Sequence, residues 1–330
     1  MTAPFSIPSP DSAWQVWEIN VFGWQLNIHT YALCILLGIV LAIIITSRRL
    51  TKRGAEPGVV LDIALWAVPL GIIGARIYHV LTHPTDYFAG QELWRVFAIW
   101  EGGNAIFGSL IGGAIGVLIG CRITGLRFWS FADALAPGLL VAQAVGRLGN
   151  WFNHELFGAP TDLPWGLEIE SDNPAWPAGL EPGTLFHPTF LYELLWNVAG
   201  ALLLVFVLER RFALRWGKAF GFYLIWYGIG RSFFEAIRVD PSEMFLGIRT
   251  NVWAAWAAVV LGIVLILVQR RRHPGLEPSV YVPGREWAGS DAEVDSDETE
   301  SDSDSPDDGV EGENAEDAAA ATSTDRPTSA

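Results

Sequence analysis

An arginine, two asparagines, a histidine and a glutamate crowd into one short stretch, Gly146-Arg147-Leu148-Gly149-Asn150-Trp151-Phe152-Asn153-His154-Glu155-Leu156-Phe157-Gly158. It closes an apolar run from Phe131 to Val145. Ionisable groups at the rim of hydrocarbon are costly unless they have a partner or a purpose. A second stretch, Tyr227 to Arg238, places Arg231, Glu235 and Arg238 at i, i+4 and i+7, with Tyr227 one turn earlier. That spacing is one face of a helix. On a helix Arg147 and Asn150 are also neighbours, and His154 continues their face if the helix persists. A guanidinium keeps its charge at every relevant pH, and its planar fork matches phosphate. Two arginines on two apolar segments therefore point to one anionic ligand between them. The plainer alternative pairs Arg231 with Glu235, lets Arg238 snorkel to headgroups, and makes Arg147–Glu155 a helix-exit clamp.

The elements that carry these residues read as membrane spans. The chain has 330 residues, half of them hydrophobic, with 16 Trp. Its apolar runs approach the roughly 20 residues that a spanning helix needs. We expect an all-α polytopic fold of seven spans, near residues 28–46, 59–81, 103–120, 130–152, 188–208, 220–237 and 252–268. Arg48, Arg49, Lys52 and Arg53 follow the first span. Arg122 and Arg127 follow the third, Arg210, Arg211, Arg215 and Lys218 the fifth, and Arg270, Arg271 and Arg272 the seventh. That bias puts these ends inside and the N-terminus outside. At about 1.5 Å of rise per residue, Arg147 lies roughly 25 Å from the inner end of its span and Arg231 roughly 16 Å. The arginines thus climb through the outer half of the membrane. Gly108, Gly112, Gly113, Gly116 and Gly120 form a small-residue stripe on the third span, which permits close helix approach.

Outside the spans, residues 1–27 read as an outer N-terminal segment with interfacial Trp14, Trp17 and Trp24. No cleaved signal is expected there. The proline-rich stretch 154–187 reads as an outer cap. Residues 274–330 read as a disordered cytoplasmic tail. From Asp291 onward there are 15 acidic residues and one basic residue, Arg326, so residues 291–330 hold −14 of the chain's formal −15. The body is near neutral and offers no basic surface for nucleic acid. Cys34 and Cys121 read as packing residues. No metal-ligand spacing is visible among the histidines, so no metal is expected.

Further polar motifs face the outer side. They are Ile28-His29-Thr30-Tyr31, Gly74-Ala75-Arg76-Ile77-Tyr78, Trp100-Glu101-Gly102-Gly103, and His187-Pro188 with Leu191-Tyr192-Glu193. Together with the two arginine stretches, over about residues 24–270, they resemble the prolipoprotein diacylglyceryl transferase family of bacterial inner-membrane enzymes. The resemblance implies transfer of the diacylglyceryl group of phosphatidylglycerol to the lipobox cysteine of a preprolipoprotein. Glycerol phosphate is released, a thioether forms, and no cofactor is used. Signal peptidase II would act afterwards. The resemblance makes Arg147 a phosphatidylglycerol contact and Arg231 essential, with Tyr31, Asn150, Gly158, Glu235 and Arg238 supporting the site. Arg76 joins the lipid-binding set. Many members carry a His where this chain has Phe107, so His29 and Glu235 become candidates for the thiol base. Both substrates are membrane-borne, which leads us to expect a lateral opening between helices. The rival readings are a transporter or a lipid scaffold for anionic headgroups. No internal repeat supports the first. An intramembrane protease lacks a Ser/His pair or facing aspartates.

Overall fold

A computed structural model describes residues 5–88, 90, 93–99, 102–103, 105–212 and 214–289. Trp100, Glu101 and the acidic stretch from Asp291 lie outside the described residues. Among the described residues there are seven long helices: α1 (Thr30–Thr51), α2 (Val59–Thr82), α3 (Ile106–Thr124), α4 (Phe128–Phe152), α5 (Thr189–Leu202), α6 (Lys218–Ile237) and α7 (Thr250–Arg272). A π-helical stretch, Leu203–Leu208, carries α5 on to Phe212. Among the described residues, six helices are long and apolar enough to cross a membrane, so the chain is a polytopic membrane protein. The helix outside that set is α6. Its 20 residues are long enough, but it carries Arg231 and Glu235. Large apolar side chains on the helix flanks, such as Leu65 at 72 % and Leu81 at 73 % exposure, suit lipid and not water.

The helices pack as antiparallel pairs because small residues let their backbones meet. On α3, a methyl group at Gly108 would lie 2.2 Å from the Gly74 carbonyl oxygen, and one at Gly112 2.1 Å from that of Leu70. Gly116 and Gly120 meet Ala67 and Ile63 in the same way, so four of the five stripe glycines seat α3 on α2. Gly113 faces open space by comparison, with one contact at 3.8 Å. Gly38 and Gly138 bring α1 against α4. Gly228 meets the Ala255 carbonyl and Gly262 that of Gly221, which joins α6 to α7. Trp196 and Trp226 stack at 4.2 Å across α5 and α6, over Gly230 and Gly200.

This antiparallel order gathers the basic helix ends on one side. There Arg49 pairs with Glu209, and Lys218 reaches the His273 carbonyl. Asp133 of α4 is fully buried and accepts from the backbone N–H groups of Gly217 and Phe220, at 2.7 and 3.0 Å. It fills the donor vacancies that every helix start leaves open, here those of α6.

At the opposite side, β1 (Val16–Val21) and β2 (Trp24–His29) form a hairpin leading into α1. The stretch after α4 contains the paired β3 (Leu167–Glu168) and β4 (Leu185–Phe186). It buries its own cluster of Phe157, Leu167, Ile169, Phe186 and Phe190, and Ile7 adds a bridge to Leu167. A last hairpin, β5 (Met244–Phe245) with β6 (Ile248–Arg249), joins α6 to α7.

The expected tail boundary at 274 needs correction. Residues 277–287 return along the basic ends as a strap. Val280 and Tyr281, each 3 % exposed, join a core with Val59, Ile63, Leu126 and Phe131. The Arg127 N–H donates to the Val280 carbonyl, Val282 donates to Gly125, and the Tyr281 hydroxyl accepts from Glu56. Hydrophobicity was too dilute here to mark the segment, but two aromatic or branched residues suffice when backbone bonds pin them. Truncation after residue 275 should lower the thermal midpoint measurably, since two buried side chains contribute on the order of 3–5 kcal/mol. Truncation after 289 should leave the midpoint unchanged. Thermal unfolding of both variants in one detergent checks this.

Candidate active site

The last turn of α4 places Arg147 and Asn150 one turn apart, and the helix stops at Phe152. The chain then reverses through left-handed backbone at His154 and Leu156 (φ 51° and 59°). The expected continuation of the Arg147 face to His154 therefore fails. His154 turns away and pairs with Glu170 at 2.9 Å, while its carbonyl accepts from Asn173. Glu155 holds the reversal. Its carboxylate accepts from Asn150 at 2.8 Å and from Asn153 at 3.3 Å. Arg147 does not clamp Glu155. It donates to the side-chain Oδ1 of Asn150 at 3.1 Å and pairs with Glu193 of α5 at 2.8 Å.

On α6 the polar stripe closes on one carboxylate. Glu235 has no exposed surface. It accepts from Arg231 at 2.8 Å, Arg249 at 3.3 Å, Asn251 at 3.1 Å and Arg238 at 3.5 Å. Arg238 also forms a two-point fork with Asp240, both bonds 2.7 Å. Removing one partner from a buried ion pair typically costs about 3–5 kcal/mol. A cluster with several donors on one carboxylate is protected against that loss.

The two stretches are stitched together by backbone. Gly158 and Arg238 form an antiparallel bridge, with the Ala159 N–H on the Ile237 carbonyl at 2.8 Å and the Gly158 N–H on that of His187 at 2.9 Å. A methyl at Gly158 would lie 2.7 Å from the His187 Cβ and 2.9 Å from Ile237 Cγ2. Glycine is needed there for this approach. At Gly149 the Tyr31 ring comes equally near, at 2.7 Å, which fixes Tyr31 over the end of α4.

Tyr31, Asn150, Arg147, Arg231 and Arg238 line one cleft of about 610 Å³. Arg147, Arg231, Arg238, Asn150, Tyr227 and Asn251 supply its polar end. Ile35 and Ile39 of α1, Ile106, Phe107 and Leu110 of α3 and Leu139 of α4 supply an apolar wall. The side chains of Arg147 and Arg231 keep 20 % and 13 % of their surface exposed. Such a volume suits an amphiphile with an anionic head.

Residues 19–268 match the family model described as prolipoprotein diacylglyceryl transferase. The chain belongs to that family. It is 64 % identical to the phosphatidylglycerol–prolipoprotein diacylglyceryl transferase of Leifsonia xyli, over 89 % of this chain and 90 % of the relative. Proteins of the same name from Bifidobacterium adolescentis and Streptomyces griseus are 49 % and 45 % identical. They cover 79 % and 83 % of this chain and 79 % and 81 % of their own lengths.

Four expected site residues of this transferase family member do not line the cleft: Gly158 and Glu235, whose contacts are given above, and His29 and Arg76. His29 is exposed and ends β2 before α1. Arg76 is buried and spends its donors on backbone carbonyls: Val96 at 2.8 Å, Gly102 at 2.6 Å, Gly103 at 3.2 Å and also Arg95. It stacks over Tyr87 as well. Sequence reading missed the roles of Glu193, Asp240, Arg249 and Asn251. One signal was available for Arg249, a cation at the helix end opposite the basic ones. Gly158→Ala should push Ile237 and Arg238 outward and cost at least tenfold in activity. That corresponds to the roughly 1–3 kcal/mol of an overpacked site. Initial rates on the membrane-inserted variant check it.

Proposed function

We propose that this chain transfers the diacylglyceryl group of phosphatidylglycerol to the lipobox cysteine thiol of preprolipoproteins. It would do so in the bacterial cytoplasmic membrane, as the first step of lipoprotein maturation. The observation that carries the reading is the convergence of Arg147, Arg231 and Arg238, from two helices, on one cleft with an apolar wall. Arg147 and Arg231 bind the lipid phosphate, and Arg238 holds the rim. The apolar wall takes acyl chain. The signal peptide brings its thiol from the bilayer side.

In the transfer, the cysteine sulfur forms a bond to the glyceryl carbon while the bond from that carbon to the phosphate ester oxygen breaks. The electron pair goes to the phosphate. The thiol proton ends on the released glycerol phosphate, so charge is conserved. Guanidiniums placed where the leaving group gathers charge stabilise the transition state. Their field also favours the thiolate over the thiol, whose ordinary pKa is about 8.5. Asn150 orients Arg147, and Tyr31 borders the cleft. Glu235, filled by four donors, serves as the anchor of the arginines in this reading and not as the base. Arg76 has a folding role, since its donors are occupied.

We place α6 across the membrane as a seventh span, its polar stripe turned to the protein interior. The basic ends face the cytoplasm, with the N-terminus and cleft polar end toward the outer leaflet. The stretch 154–187 is then an outer cap, and the residues beyond 290 a cytoplasmic tail without a catalytic role.

Purified protein, phosphatidylglycerol and a lipobox peptide in detergent test the reading. The peptide should gain a diacylglyceryl mass that requires its cysteine, with equimolar glycerol phosphate released. Arg147→Ala should slow this by about 10²–10³, the effect of losing one preorganised donor. Binding without release of glycerol phosphate would instead point to a scaffold or transporter. Phe107→Ala should keep most activity, because a wall residue is replaced, whereas Arg231→Ala should abolish it. The same mass readout ranks the two.

A further inference from the structure

We infer that Arg249 and Asn251, at the start of α7, are positioning residues that release Arg231 from Glu235 when an anionic headgroup binds. The inference rests on the proposed lipid site and deepens it. Both guanidiniums that would bind phosphate are already engaged, Arg147 with Glu193 and Arg231 with Glu235, each at 2.8 Å. Arg147 keeps 20 % of its surface exposed and can meet a phosphate without leaving Glu193, whereas a phosphate can draw Arg231 away only if Glu235, which has no exposed surface, stays satisfied, because a buried unpaired charge is costly.

Glu235 meets that condition. When Arg231 turns away, Arg249, Asn251 and Arg238 remain on the same carboxylate. Their present distances of 3.3, 3.1 and 3.5 Å are longer than the bond that Arg231 makes, so each can tighten. Arg249 is itself held in place. Its other guanidinium nitrogen donates to the carbonyls of Arg238 and Asp240, both at 2.9 Å. It also ends the β5–β6 hairpin and precedes the first turn of α7. A rigid cation therefore stands ready beside a carboxylate whose own partner must move. Without Arg249, Glu235 draws Arg231 more strongly, and the headgroup has to compete with a buried ion pair for it.

The test separates this role from a merely structural one by removing the competing charge as well. Rates and phosphatidylglycerol retention would be measured in detergent for Arg249→Ala, Arg249→Lys, Glu235→Gln and Arg249→Ala with Glu235→Gln. Arg249→Ala should raise the apparent KM for phosphatidylglycerol about tenfold with a smaller change in kcat. Arg249→Lys should recover part of that loss. The double variant should bind the lipid better than Arg249→Ala, because a neutral amide no longer captures Arg231; coupling of this kind is expected between contacting residues. Losses that simply multiply in the double variant would overturn the inference. Should Arg249→Ala fail to insert, Asn251→Leu alone and with Glu235→Gln supplies the second test: a KM increase of about threefold that Glu235→Gln relieves supports the inference, on the same coupling argument, and an increase that is absent or not relieved overturns it. Lipid retention keeps the two proposals distinguishable. A wild-type protein that retains phosphatidylglycerol without transferring it sinks the transferase reading, while the ranking of retention among the variants still decides the role of Arg249.

Discussion

A carboxylate with no exposed surface needs its charge answered from within the protein, and Glu235 is answered from two helices. Arg231 and Arg238 come from α6 and its end, and Arg249 and Asn251 from the start of α7. The Arg238 position is then bridged to Gly158, at the far end of the reversal that begins with Arg147. One buried charge thus ties together α6, α7 and the end of α4. Taking these groups out of water is costly, so the arrangement persists only because every lone pair finds a donor. That same economy leaves Arg147 and Arg231 beside the cleft with part of their surface free.

The apolar half of the site depends on a different constraint. Glycines at 108, 112, 116 and 120 let α3 lie almost in contact with the α2 backbone. The α3 face brings Ile106, Phe107 and Leu110 to the cleft. The α1–α4 pair supplies the adjoining side through Ile35, Ile39 and Leu139. Cationic and hydrocarbon surfaces therefore bound a single volume, which is what a two-part lipid requires. The strap through Val280 and Tyr281 pins the α2–α3 pair to the start of α4 at the basic ends.

Phe107 acquires a physical reading in this setting. Its ring approaches Tyr78 of α2 at 6.2 Å and stands on the apolar wall. A titratable group is missing from that wall position. The proton balance of the proposed transfer does not demand one, since thiol and leaving phosphate can exchange the proton between themselves in a cationic field.

Sequence alone determined the kind of protein and the chemical type of its site. Apolar runs near the spanning length, basic residues at alternate ends and arginines within two of those runs are local features. Helical periodicity converts them directly into positions on a helix face. The i, i+4 pair Arg231–Glu235 on α6 and four glycines of the α3 stripe were legible for that reason, while Arg238 reaches Glu235 from extended backbone just past the helix. Tertiary structure decided who partners whom. Arg147 chose Glu193 and not Glu155, His154 left the helix face, Arg76 turned to backbone carbonyls, and Arg249 arrived from the hairpin before the next helix. Asp133 caps a helix more than 80 positions away. Periodicity reports which face of its own helix a residue occupies. The choice of partner depends on which faces meet across the bundle, and that is fixed only when backbones close to contact distance at their glycines.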